Sequence, residues 1–87
     1  MTYTLVWHAA AVAGLLRLRG DDPATARSVR VAVSALARDP FPDGSNGLHG
    51  SLSVRRLRIG LARVLYDVDD DLSCVGILTV GRVARRG

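Results

Sequence analysis

The sequence predicts an α+β domain in which a helical hairpin packs on a mostly antiparallel sheet, in the order strand, helix, helix, strand, strand, strand. Three observations predict it. An opening stretch, YTLVW, is built of β-formers. Residues 22–36 carry a capped apolar stripe at spacings of three and four. The last third of the chain alternates apolar and polar residues in runs parted by turn formers. At 87 residues, 48% hydrophobic and 23% charged, the chain has the size and proportions of one globular domain spanning 1–87.

Residues 3–7 are β-branched or aromatic apart from Leu5 and read as the first strand, with Tyr3 and Trp7 on one face as core or partner contacts. AAAVAGLLRLRG follows as a helix, with Val12, Leu15, Leu16 and Leu18 close to one face and Gly20 at its end. Gly14 inside it either weakens the helix by about 1 kcal/mol relative to alanine or marks the close approach of another backbone. Asp22 and Pro23 start a second helix, because the carboxylate caps free amides and proline at the first helical position forfeits no hydrogen bond. Ala26, Val29, Val33 and Leu36 form its buried stripe, and Arg27, Arg30 and Arg38 face away. With two prolines and three glycines, DPFPDGSNGLHG at 39–50 reads as a loop. Strands are expected at about 51–59, 62–68 and 73–80, the last two joined by Asp69, Asp70 and Asp71.

Gly60 and Leu61 suit the two central positions of a type II′ turn, which needs glycine first. That register sets Ile59 opposite Ala62, Arg58 opposite Arg63, Leu57 opposite Val64 and Arg56 opposite Leu65. Alternation then puts Leu57, Ile59, Val64 and Tyr66 on an oily face and Arg56, Arg58 and Arg63 on a cationic one. Like charges paired across strands cost up to about 1 kcal/mol, and an anion between two guanidiniums reverses the sign. Leu52 and Val54 have the opposite parity to Leu57 and Ile59, so a bulge is expected near Arg55. The competing reading is that one arginine pairs with Asp67 or with an aspartate on a neighbouring element while the others point into solvent.

All twelve basic residues are arginine and all eight acids aspartate, for a net charge of +4. Four arginines lie between Arg55 and Arg63, and Arg82, Arg85 and Arg86 crowd the C-terminus, a pattern suited to a polyanion or an acidic partner, or simply to solubility. Cys74, the single cysteine, reads as a small buried residue in a reducing compartment. The apolar run TLVWHAAAVAGLL lacks the basic flank of a secretion signal and is too short to cross a membrane, so a cytoplasmic protein is expected. No Cys/His cluster or carboxylate pair has metal-ligand spacing, and neither a metal nor a cofactor is expected.

The order of elements, the loop DPFPDGSNGLHG and the segment RLRIGLARVLYDVDDD followed by ILTVG resemble the RelE/ParE superfamily of toxins from bacterial toxin–antitoxin pairs, from about Tyr3 to Gly81. The resemblance to the RelE branch implies a metal-independent endoribonuclease that cuts messenger RNA, often on the ribosome, through attack of a 2′-hydroxyl on the neighbouring phosphate. Carried across, it implies catalytic roles for Arg56, Arg63 and Arg82 and phosphate contacts from Arg55, Arg58 and Arg85. It further implies a cognate antitoxin partner in a hetero-oligomer. Val83 stands where that branch has an arginine, and no tyrosine follows it in the sequence. Arg82 or Arg85 would serve only after a one-residue shift. Arginine, with a pKa above about 12, is a poor base. His49, beside the second strand, is the candidate for proton transfer, whereas His8 reads as a capping or surface residue. The same likeness leaves two alternatives: a ParE-like toxin that poisons DNA gyrase, and an inactive member that only binds its antitoxin.

Overall fold

The structure is a computed structural model and describes residues 2–51 and 53–82. Its elements are β1 (Thr4–Trp7), α1 (Ala9–Asp21), α2 (Pro23–Ala35), β2 (Ser45–Gly47), β3 (Val54–Ile59), β4 (Ala62–Asp69) and β5 (Cys74–Arg82). The five strands form one sheet in the order β1-β5-β4-β3-β2. β1 runs parallel to β5, and the other neighbours are antiparallel. The expected α+β architecture is the observed one, with the helical hairpin on one face of the sheet. Among the described residues no helix is long and apolar enough to cross a membrane.

The hairpin is tight because one residue serves both helices. Asp22 ends α1, its amide donating to the Leu18 carbonyl, and its side chain accepts from the Thr25 amide at 3.1 Å and the Thr25 hydroxyl at 2.6 Å to cap α2. The α2 stripe is as the spacing predicts: Ala26, Val29, Val33 and Leu36 are all buried. α1 departs from expectation. It buries Ala11, Gly14 and Leu18, with Leu15 partly covered, and leaves Val12 and Leu16 exposed. Small residues face the sheet because α1 lies almost against β5: a Cβ on Gly14 would collide with the Val80 carbonyl oxygen. Of the two readings of Gly14, close backbone approach is the one that holds.

Burying Tyr66, Val64 and Val68 on β4, Leu57 on β3 and Val75, Ile77 and Val80 on β5 closes the core against the helices. Two of these β5 positions are even-spaced and the third is not. A register shift reconciles them: Leu65 pairs with Thr79 but Tyr66 pairs with Ile77, so Leu78 is the extra residue. The bulge therefore sits on β5 and not near Arg55, since β3 pairs with β4 without interruption from Val54 to Ile59. Val54 consequently shares the face of Arg56, and Arg55 the opposite one; Leu52 lies outside the described residues. A second correction concerns the segment expected to be all loop, where Ser45–Gly47 pairs with Arg55–Leu57 as an edge strand. Cys74 is half-buried rather than enclosed. Tyr3, Leu5 and Trp7 pack on the core from β1, as their shared face suggests.

Candidate nucleic-acid interface

The Gly60–Leu61 turn sets the geometry of the site. Gly60 has φ of +57°, and the register beside it is Ile59 with Ala62, Arg58 with Arg63, Leu57 with Val64 and Arg56 with Leu65. Every one of these pairs is as the turn chemistry predicts. Leu57, Ala62 and Val64 point into the core. Arg56, Arg58 and Arg63 are exposed on the other face, which the helices do not cover. Two guanidiniums thus stand directly across a strand pair, with a third one diagonal step away.

None of the three makes a side-chain hydrogen bond to another described residue. Asp67, the acid nearest on β4, does not neutralise them: its Oδ1 is buried without a hydrogen-bond partner. The remaining aspartates of that end, Asp69, Asp70 and Asp71, group beyond Asp67 around the β4–β5 turn. Asp69 accepts from the Leu72 amide and Asp70 from the Tyr3 hydroxyl. That last bond raises the Tyr3 pKa above its ordinary value. The open face is therefore polarised along the strands, with cations toward the β3–β4 turn and acids toward the β4–β5 turn.

A hollow of about 290 Å³ opens beside the arginines, lined by Arg56, Arg63, Leu48, Leu65, Thr79 and Gly81. Its floor is apolar and its rim cationic. Such a hollow suits an anionic group carried on a less polar body, which a nucleotide is. Leu48 reaches it because the loop after β2 folds back on the sheet, the Leu48 amide donating to the Val54 carbonyl at 2.9 Å. His49 follows directly and is exposed, but it is not among the residues that line the hollow.

Two of the arginines expected here are elsewhere. Arg55 points to the helix side and is engaged by its own chain: it donates to the Ser45 hydroxyl at 2.9 Å and carbonyl at 3.3 Å, and its guanidinium lies 5.0 Å from the Phe41 ring centroid. It tethers the loop that carries Leu48 and His49 instead of offering itself to a phosphate. Arg82 shares the parity of Val80 and so turns toward α1, where it lines a cavity with Gly14, Arg17, Leu18 and Asp21. Its charge contributes to lowering the Asp22 pKa, after the larger effect of the Thr25 hydrogen bonds. The β5 bulge fixes that parity, and no local signal in the sequence announces it. Arg85 lies outside the described residues. His8 caps nothing with its side chain. Leu48 and Thr79 were not foreseen, because placing them requires β2 and the bulge; Leu65 followed from alternation alone.

No protein-family model matches the chain, and no curated protein does. Solved structures do. The chain is 27% identical to a chain of the RelBE2 toxin–antitoxin complex from Mycobacterium tuberculosis, with a TM-score of 0.79 over 94% of this chain and 99% of that one. It is 26% identical to a chain of the archaeal RelE–RelB complex from Pyrococcus horikoshii, with a TM-score of 0.82 over 99% and 100%. The isolated RelE toxin of E. coli, 19% identical with a TM-score of 0.81 over 97% of this chain and 87% of that one, shares the fold.

Proposed function

The chain belongs to the RelE/ParE toxin superfamily, and from that premise we propose that it is the toxin of a type II toxin–antitoxin pair and acts as an endoribonuclease on messenger RNA in the cytoplasm. The observation that carries this reading is the Arg58–Arg63 cross-strand pair with Arg56 beside it, unpaired among the described residues and, at Arg56 and Arg63, bordering a hollow of nucleotide size. A sheet gains nothing from that pairing unless an anion sits in it.

In the proposed reaction the scissile phosphate lies between Arg56 and Arg63, with Arg58 on the adjoining nucleotide's phosphate. The 2′-oxygen attacks phosphorus as its proton leaves, and the bond from phosphorus to the 5′-oxygen breaks as that oxygen takes up a proton. The products are a 2′,3′-cyclic phosphate and a 5′-hydroxyl. Charge accumulates on the non-bridging oxygens at the transition state, and two fixed guanidiniums stabilise it there without reorganising. Guanidinium is too basic to move the protons, and the imidazole of His49, next in sequence to Leu48, is the side chain we assign to that task.

The neighbours include toxins solved in complex with antitoxins, and this toxin takes a cognate antitoxin as its partner in a hetero-oligomer. An acidic segment laid over the open face, or added as a strand along the three-residue edge β2, would cancel the arginines and close the hollow together.

Incubating the purified protein with end-labelled single-stranded RNA, free and on ribosomes, tests the reading. Cleavage to cyclic-phosphate ends that is lost in Arg63→Ala and Arg56→Ala supports it; growth arrest with intact RNA under both conditions overturns it. One observation favours a second reading. With Arg55 held by Ser45 and Arg82 turned to α1, the open face lacks two of the cations that the nuclease branch implies, which suits a toxin that poisons gyrase. Recovery of gyrase with the tagged protein and a DNA-damage response in the arrested cells would select that reading.

A further inference from the structure

The open face of the sheet has two electrical ends. Its β4 residues, taken along the strand, are Arg63, Leu65, Asp67 and Asp69, and the pairings with β3 and β5 extend them into rows across the sheet. Arg58, Arg63 and Gly81 make one row, Arg56, Leu65 and Thr79 the next, and Val54, Asp67 and Gly76 the third. Asp69 opens the fourth beside Cys74, and Asp70 and Asp71 continue past it into the turn. The face thus passes from cations, through half-buried Leu65 and Val54, to acids. Arg63 and Asp69 stand about 20 Å apart along the strand. That exceeds two screening lengths of about 8 Å at physiological ionic strength, so the ends do not neutralise each other. Nor are they cancelled locally. The three arginines make no side-chain hydrogen bond to a described residue, Asp67 keeps a buried oxygen without a partner, and Asp69 and Asp70 accept only from neutral donors, the Leu72 amide and the Tyr3 hydroxyl.

We infer that this face docks on the same face of a second copy of the chain, with the arginine end of each lying over the aspartate end of the other. A two-fold axis between the two layers can run along the strands or across them. Along the strands, it sets arginines on arginines. Across the strands, between Leu65 and Asp67, it sets the Arg58–Arg63 row of each copy over Asp69 of the other and Arg56 of each beside the other's Asp67. Every contact is then made twice, and the anion that the Arg58–Arg63 pair lacks is supplied by the second copy. RNA matches only the cationic end of the face and is repelled by the rest; a second copy matches both ends. The face spans roughly 20 Å by 20 Å, or about 400 Å² from each copy, half of what a standard interface takes, so the association is reversible and sensitive to salt. On the nuclease reading, dimers hide Arg56, Arg63 and the hollow from RNA. That consequence alone rests on the proposed activity, and the docking does not.

Sedimentation equilibrium of the full chain over a range of concentrations reads the association without RNA. Dimers are expected at about 30 mM salt and should dissociate at about 500 mM, where the screening length falls to roughly 4 Å. Arg58→Gln with Arg63→Gln, and Asp69→Asn with Asp71→Asn, should each raise the dissociation constant by about tenfold or more. Asparagine keeps an acceptor for the Leu72 amide, so the turn stays closed. Charge reversal then tests the register. Arg63→Asp alone and Asp69→Arg alone should each abolish dimers, whereas one chain carrying both, or an equimolar mixture of the two single variants, should form them again. Thermal unfolding confirms that each variant is folded. A chain that is monomeric at low salt, dimers that survive high salt or both neutral variants, or folded reversals that do not re-associate in either format overturn the inference. Intact RNA beside salt-sensitive dimers overturns the proposed nuclease and not this docking.

Discussion

Tyr66→Phe isolates one bond on which the site's loop depends. The Tyr66 ring is fully buried in the centre of β4, and its hydroxyl donates to the Pro40 carbonyl at 2.7 Å. Pro40 is itself buried and stands at the start of the segment that later carries Leu48 to the hollow. Phenylalanine keeps the ring and its packing, so the loss is the hydrogen bond plus an acceptor left buried without a donor. The first is worth about 0.5–1.5 kcal/mol and the second about 1–3, and because they overlap a net cost of about 2 kcal/mol is expected. For a domain of this size each kcal/mol moves the midpoint by roughly 4–8 °C, so thermal unfolding followed by circular dichroism should show a drop of at least about 8 °C. Urea unfolding should show a lower midpoint at unchanged slope, because the surface exposed on unfolding is the same. A stability change within about 0.5 kcal/mol of zero would refute the reasoning, since it would mean that the Pro40 carbonyl does not rely on Tyr66.

Gly14→Ala pushes a methyl into the Val80 carbonyl and should cost about 1–3 kcal/mol through separation of α1 from β5, where an ordinary helical site would gain from alanine; a stabilised variant in urea unfolding would contradict the close approach. Arg58→Gln relieves the repulsion opposite Arg63 and should raise stability by up to about 1 kcal/mol in anion-free buffer, an advantage that shrinks on adding inorganic phosphate, both read by thermal unfolding. In RNA-binding titrations across salt concentrations, Arg56→Ala, Arg58→Ala and Arg63→Ala should each reduce the slope of log affinity against log salt by about 0.7, whereas Arg55→Ala, whose guanidinium is held by Ser45, should not. The Asp22 pKa is lowered from 3.8 by the Thr25 hydrogen bonds, so the cap's contribution is complete above that ordinary value and is lost as pH falls through the folded one. Asp22→Ala should therefore be less stable than wild type at neutral pH, and the gap should close in acid; a gap that persists in acid would contradict the assignment.

Short-range physics was legible in the residues themselves. Asp22 and Pro23 announced α2, the spacing of Ala26, Val29, Val33 and Leu36 announced its buried stripe, and Gly60 announced a turn whose type dictated the pairing of Arg58 with Arg63. Each of these depends on neighbours within a few positions, where propensity, capping and turn chemistry act. What the residues did not announce depends on contacts between distant segments. The three residues of β2 become a strand only because β3 offers an unpaired edge. α1 faces the sheet with Ala11 and Gly14 instead of Val12 and Leu16, because β5 leaves no room for larger side chains. The bulge at Leu78 is selected by the need to bury Val75, Ile77 and Val80 together, and it turns Arg82 away from the cationic face as a consequence. Arg55 and Arg56 are identical residues side by side, and strand alternation alone sends one to hold a loop and the other to the open face. Apart from β2, the sequence by itself determined which elements form and how the β3–β4 hairpin pairs; the tertiary structure decided which arginines share a surface, because a one-residue change of register at any point in a strand reverses every side chain beyond it.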